Sequence, residues 1–305
     1  MSQFKGTYVF KQNGIEIGRS DNLITTSGRK SILQYMAGVK QDWASDIAVG
    51  AINTTPSTSD IQLNFETARV PVIMKTFQTA YGNSPDLIIV RAMLPANIYA
   101  NIYEIGLYPN KRISATSVKS NKLVEDFSSL DNWAATSGSA TYTPFSPQAP
   151  QSPRIGNYSV QLNTNTVYEN NSLNIDMSNY SSTDQLQILA YNTVAGSLHV
   201  VFTDIYGYTS TVSYTLTTNT GYQILSNYFS STTNGAEVPI QNLNTVKSIS
   251  ISTSNGGVIT IDALKVSVAA ELTNQEYLVS KSVLTTPIAK IYNTPLDIEY
   301  YIQLS

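Results

Sequence analysis

Apolar and polar positions along this chain alternate with a period of two far more often than they recur every three or four residues. "TYVF" (7–10) and "IEI" (15–17) flank "KQNG", whose Asn13-Gly14 pair is a two-residue turn signal, so the chain opens on a short hairpin. One segment breaks the two-residue period. "TTSGRKSILQYMAG" (25–38) offers Thr26 or Ser27 as an N-cap, sets Ile32, Leu33 and Met36 on one face and stops at Gly38, which predicts one short amphipathic helix. β-like runs follow at "SDIAVGAI" (45–52), "ARVPVIMKTFQ" (68–78), "PDLIIVRAMLP" (85–95) and "NIYEIGLYP" (101–109), divided by polar or Pro-bounded loops.

From Val124 to Ala270 alternation dominates: "SVQLN", "LNIDM", "QLQILAY", "SLHVVFTDI", "STVSYTLTT", "VKSISIST" and "VITIDALKVSV", spaced by "TNTG", "STTNG" and "SNGG". Many short strands between regular turn signals predict an antiparallel sandwich. The stretch "SATYTPFSPQAPQSPRIG" (139–156) reads as its long first loop, anchored by Phe127, Trp133 and Tyr142. After Ala270 two more strands are predicted, roughly 277–284 and 296–304, too few for a domain of their own. They are expected to complete the first sheet. The fold expected is therefore mostly β: a split β-rich base domain with one short helix (1–122 and 271–305) carrying an inserted antiparallel β-sandwich, a jelly-roll, at 123–270, with the insertion near Ser114 to Lys122.

Charge sharpens this division. Residues 125–270 hold three basic residues (Arg154, Lys247, Lys265) and nine acidic ones, whereas the remainder holds 15 and 12. An acidic, charge-poor middle argues against a nucleic-acid groove, which concentrates Lys and Arg on one face. The absence of Cys excludes disulfides and thiolate chemistry, and "MSQFKGTYVFKQNGIEIG" lacks the apolar run of a signal peptide or membrane span. The expectation is a soluble, unprocessed chain without membrane insertion.

Candidate chemistry is sparse. His199, the single histidine, stands at an alternating strand position in "SLHVVFTDI" with no Gly-x-Ser-x-Gly elbow in the chain, which favours a strand residue over a catalytic base. Asp176, Asp184 and Asp204 could serve a glycosidase only if two of them shared a cleft. A non-enzymatic protein is expected. Trp133, Tyr142, Tyr206, Tyr208 and Tyr228 are candidates for stacking on sugar faces, with core and cross-strand packing as their other use. Tyr206 and Tyr208 would share a face if "DIYGYTS" (204–210) were extended.

Two resemblances extend this reading. "DNLITTSGRKSILQYMAG", "IAVGAINTTPSTSD", "NFETARVPV" and "NIYEIGLYP", in that order, resemble the opening module of tailed-bacteriophage virion proteins of the tail, collar and fibre type, and "SKSVLTTPIAKIYNTPLDIEYYIQL" is similar to that family's closing hairpin. Ala51 and Ile52 depart from the Gly-Thr-Gly common in that family. The resemblance implies a virion location, other virion proteins as partners, and a homo-oligomer, either a trimer or a higher ring. Separately, "EDFSSLDNW" and "SISISTSNGGVITIDALKVSV" resemble the first and last strands of carbohydrate-binding jelly-rolls. That resemblance implies a host surface glycan as a partner and a structural Ca²⁺ held by Glu125, Asp126 and Asp262, since Ca²⁺ takes several hard oxygen ligands. Outward decoration of the particle and glycan recognition both remain open at this point.

Overall fold

The computed structural model describes residues 4–79, 86–109, 122–146, 152–219, 221–229, 245–254, 258–268 and 277–304. Seven strands and the helix come first: β1 (Phe4–Gln12), β2 (Ile15–Asp21), β3 (Leu23–Ile24), α1 (Thr26–Met36), β4 (Asp46–Gly50), β5 (Glu66–Gln78), β6 (Leu87–Leu94) and β7 (Ala100–Tyr108). Then come β8 (Lys122–Glu125), β9 (Trp133–Ser137), β10 (Ala140–Pro144), β11 (Tyr158–Leu162), β12 (Val167–Asn170), β13 (Ile175–Asp176), β14 (Gln185–Asn192), β15 (Gly196–Asp204), β16 (Thr209–Leu216), β17 (Gln223–Tyr228), β18 (Thr245–Ser254) and β19 (Ile259–Ser267). The chain closes on β20 (Ser280–Lys290) and β21 (Leu296–Leu304). It divides into two compact units, one of Met1–Ala115 with Leu272–Ser305, the other Thr116–Glu271.

In the split unit nine strands run in the order β2-β1-β21-β6-β5-β4-β7-β20-β3. The opening hairpin turns at Asn13 (φ 52) and Gly14 (φ 79), the two left-handed residues that a type I′ turn requires. Strand β5 belongs to two halves of the sheet: it pairs with β4 through Pro71 and with β6 from Val72 on, with a bulge between Val72 and Met74. Bulges bend strands. The inward residues of both halves meet in one core, which includes Tyr8, Phe10, Val90, Ile298 and Tyr300 from one half and Ile47, Val49, Ile105 and Leu107 from the other. β7 and β20 pair antiparallel, Ser280 opposite Leu107, so the second unit occupies the connection of a hairpin whose two arms are neighbours in the sheet.

The helix docks differently from the pattern-based expectation. Its N-cap is Thr25, whose Oγ1 accepts from the Gly28 N–H at 2.9 Å. Gly28 and Ser31 are its buried residues, while Leu33 and Met36 are 64% and 69% exposed. Close approach is the reason. A Cβ on Gly28 would lie 2.0 Å from the Val279 carbonyl oxygen, so the small residues set the contact; Ile32 packs against the core while Leu33 and Met36 turn to solvent.

Thr116–Glu271 forms a sandwich of two six-stranded antiparallel sheets. One has the order β10-β11-β19-β14-β17, with β8 also on β19; the other has the order β16-β15-β18-β12-β9, with β13 also on β18. Every second residue points inward: Leu186, Ile188 and Ala190 on β14 face Leu198, Val200 and Phe202 on β15 across one core. Part of the Ser/Thr/Pro stretch predicted as a loop is strand, since β10 falls within it; β10 and, just before the stretch, β9 lie at the sandwich edges, paired with β11 and β12. Positions 147–151 fall outside the described residues.

Candidate functional site

Cross-strand neighbours share a face of a sheet, so register shows which side chains line up. In the first sheet Thr141 lies opposite Gln161, Gln161 opposite Thr260, and Thr260 opposite Tyr191. Gln223 pairs with Ala190, which brings Tyr222 beside Tyr191, their rings 6.2 Å apart and tilted by 45°. Their strand neighbours Leu162, Ala190, Ile259 and Ile261 fill the core, so this row faces outward. Thr141, Gln161, Thr260 and Tyr191 on four neighbouring strands and Tyr222, just before β17, thus form one line, roughly 19 Å long at about 4.8 Å per strand. All five are partly or fully open to solvent.

The next outward row is covered. Leu189, Ala263 and Ser159 have no exposed surface although they point away from the core, and Ser152, Arg154 and Ile155 are buried with them. The Arg154 N–H donates to Asp262 Oδ2 at 2.7 Å, which ties this segment down over the sheet. The row therefore runs along a wall. At its tyrosine end the Arg154 guanidinium carbon lies 4.9 Å from the centre of the Tyr222 ring. Aromatic rings, hydroxyls and an amide along one ledge can stack on flat apolar faces and bond to hydroxyl groups, with the Tyr222 hydroxyl oxygen and Arg154 themselves buried. Neither Tyr191 nor Tyr222 belongs to the hydrophobic core cluster of the sandwich.

The five aromatic residues singled out from sequence are not brought together. Trp133 is 6% exposed, stacks on Tyr168 at 4.9 Å, and donates its indole N–H to Glu125 Oε2 at 3.0 Å, so it is a core residue and no sugar platform. Tyr142 stands on edge strand β10 with its ring toward Tyr168 at 6.4 Å. Tyr206 and Tyr208 are exposed on the β15–β16 hairpin, but its backbone is a turn with Gly207 at φ 87. Asp204 Oδ1 accepts both tyrosine N–H groups, so the extended geometry expected there does not form. Tyr228 pairs with Gln185 at that same end of the sandwich, opposite to the end at which Tyr191 lies.

The three carboxylates expected to hold Ca²⁺ do not form a ligand set. Glu125 Oε1 accepts the Asp126 and Phe127 N–H groups and its Oε2 accepts from Trp133, so it is turned inward. Asp126 Oδ1 accepts from the Ser128 N–H at 2.9 Å. Among the described residues no group of three His, Cys, Asp or Glu converges as metal ligands would. Asp262 keeps one buried oxygen, Oδ1, without a hydrogen-bond partner. Burial pushes its carboxyl well above the usual range; the Arg154 and Ile155 N–H groups and the Arg154 charge oppose this, and nearby Asp126 adds to it.

The groups considered for catalysis are occupied locally. His199 Nδ1 lies 2.8 Å from Ser213 Oγ across the β15–β16 pair, on the outer face of the second sheet. Asp176 bonds Ser178, Asp184 bonds Ser181, and Asp204 bonds its own turn. Each carboxylate caps a local bend. The Tyr191–Tyr222 pair escaped the sequence reading because Tyr222 joins the row only through the β14–β17 register; the outward phase of "QLQILAYN" was the one available signal.

No protein-family model matches the chain, and no curated protein matches it. Solved structures do. The chain is similar to a family 11 carbohydrate-binding module from Clostridium thermocellum in complex with a β-1,3-1,4-mixed-linked tetrasaccharide, at 16% identity and a TM-score of 0.34, over 49% of this chain and 96% of that one. It is similar to an exo-β-agarase at 14% identity and a TM-score of 0.33, over 48% of this chain and 24% of that one. A third similarity is to the enzymatically active domain of tailspike protein 4 of bacteriophage CBA120, at 14% identity and a TM-score of 0.30, over 46% of this chain and 20% of that one. The chain thus spans about a quarter of the agarase and a fifth of the tailspike domain.

Proposed function

We propose that this chain is a non-catalytic glycan-binding protein whose sandwich holds a polysaccharide along the row Tyr222–Tyr191–Thr260–Gln161–Thr141. The observation that carries the reading is the row itself: aromatic, hydroxyl and amide side chains lined up on an open ledge, outside the core that the fold requires. The test is affinity electrophoresis of the full chain through a panel of neutral polysaccharides and their anionic counterparts. Retention by at least one polymer is expected. Tyr191→Ala and Tyr222→Ala should each weaken it about tenfold, the scale of one lost stacking contact, whereas Tyr206→Ala and Tyr208→Ala should leave it unchanged. Failure of every polymer to retard the chain, or loss through Tyr206 and Tyr208 instead of the row, overturns the proposal.

The split unit, on this reading, fixes the protein to a virion as a homo-oligomer, a trimer or a higher ring, in contact with other virion proteins. Support comes from the segments that resemble phage tail, collar and fibre modules and from the solvent-facing Leu33, Met36, Val39 and Phe77, which are 64%, 69%, 76% and 65% exposed. Antibody labelling of purified particles is expected to find the chain at a symmetric site. Its absence from particles would refute the virion assignment and leave the glycan reading standing.

A further inference from the structure

We infer that the split unit forms an amide bond within itself, between the side chains of Lys281 and Asp60, with Glu104 as the proton carrier. The inference is independent of the glycan and virion readings and rests on three side chains that the fold brings together. Lys281 stands on β20 opposite Gly106 of β7, and Glu104 lies on β7 opposite Val283. The Lys281 Nζ is 3.1 Å from Asp60 Oδ2 and 3.4 Å from Glu104 Oε2, yet it makes a hydrogen bond of ordinary geometry to neither. Both carboxyl groups are held in place by main-chain donors. The Phe65 and Asn64 N–H groups donate to Glu104 Oε1 and Oε2, and the Ser57 N–H donates to Asp60 Oδ2 at 3.1 Å.

The surroundings suit a condensation. The Lys281 side chain is 1% exposed and Glu104 has no exposed surface, while Ala48, Leu63, Tyr108 and Leu278 close into an apolar cluster beside them. Exclusion of water favours the amide, because the reverse step, hydrolysis, consumes water. Groups fixed at this separation react as though at about 10⁵–10⁸ M when well oriented. In the step the Nζ lone pair adds to Asp60 Cγ, the Ser57 N–H holds the charge that gathers on Oδ2, and the Cγ–Oδ1 bond breaks. Two of the three ammonium protons end on Oδ1, which leaves as water; Glu104 carries them and returns to its starting state, so no further reactant is needed. The Asp60 side chain is 23% exposed, which gives that water a way out. The amide N–H then takes the place of the ammonium beside Glu104. Asp60 precedes the inserted sandwich and Lys281 follows it, so the bond closes a covalent ring that includes Thr116–Glu271 and ties the two segments of the split unit to each other.

The experiment is the intact mass of the full chain, purified in its folded state and then denatured. The expected mass is that of the sequence less one water, with a single branched peptide carrying both Asp60 and Lys281 after proteolysis. Lys281→Arg and Asp60→Ala should each restore the full mass, and the unaltered chain should run ahead of both on a denaturing gel, because a closed ring cannot extend fully. Glu104→Gln keeps an oxygen for the Phe65 N–H and should slow the loss of water about a hundredfold or more in a time course after cell-free synthesis. A folded, unaltered chain that keeps its full sequence mass overturns the inference whether or not the variants fold, and so does a water lost between any other pair of residues. Loss of water as fast in Glu104→Gln as in the unaltered chain overturns the role given to Glu104 and leaves the bond standing.

Discussion

Replacing Lys281 by Met is expected to destabilise the split unit by about 3–5 kcal/mol, the usual cost of stranding one partner of a buried ion pair. Lys281 stands on β20 with its side chain 1% exposed, its Nζ 3.1 Å from Asp60 Oδ2 and 3.4 Å from Glu104 Oε2. Glu104 has no exposed surface and accepts the Phe65 N–H at 2.7 Å and the Asn64 N–H at 3.0 Å, so its carboxylate fastens the loop after β4 onto the outer face of β7. The chain is shaped around that group: a Cβ on Gly50 would lie 2.5 Å from Glu104 Oε1. Without Lys281, Glu104 stays buried with its ammonium partner gone. Calorimetry should show the split unit's transition falling by on the order of 10 °C, with that of the sandwich unmoved. The double change Lys281→Met/Glu104→Gln should recover part of the loss, because it removes the unpaired charge. A single change that melts like the unaltered chain would mean that the pair contributes nothing.

That pair also marks where sequence reading reaches its limit. Alternation in "QLQILAYN" and "SLHVVFTD" was enough for the inward positions of β14 and β15, because a two-residue period buried on one side leaves little choice of face. Asn13-Gly14 likewise announces its own turn. The orientation of α1 was not fully legible, since of its predicted apolar face Ile32 packs against the core but Leu33 and Met36 do not, its docking being decided by the absence of a side chain at Gly28. β9 and β10 were hidden for a similar reason. "WAATS" and "ATYTP" lack an alternating apolar series, and their partners β12 and β11 hold them at the sandwich edges.

The site was less legible than the fold, and register explains why. Thr141, Gln161, Tyr191 and Thr260 come from four strands, Tyr222 from the residue before a fifth, scattered over more than a hundred positions, and they form a line only when four separate pairings are fixed. A slip of one residue in any of them would turn one member to the core. Exposed aromatics in a turn are easier to see in a sequence, as Tyr206 and Tyr208 are, yet there the Asp204 carboxylate accepts the backbone N–H groups of both and folds them into a tight turn. Residue type nominated the candidates. Pairing geometry selected among positions that residue type alone did not distinguish.

Trp133 separates these two kinds of evidence most sharply, because as a platform and as a core residue it predicts opposite outcomes. Trp133→Ala is expected to cost the sandwich about 3–5 kcal/mol, the range for emptying a large aromatic site. The ring stacks on Tyr168 at 4.9 Å, meets Phe127 at 5.4 Å, and supplies the indole N–H that bonds Glu125 Oε2 at 3.0 Å. Its removal opens a cavity and takes one donor from a carboxylate that burial already pushes above its ordinary pKa. Trp133→Phe should lie between, since it restores most of the volume but not the N–H. The folded fraction of Trp133→Ala should still be retained by the polymer that binds the unaltered chain, because the row of Tyr191 and Tyr222 lies on the outer face of the sheet. A variant that keeps its melting temperature and loses retention would return Trp133 to the binding surface and remove the row from it. Lowered melting with intact retention is the outcome that the burial of Trp133 and the exposure of the row require together.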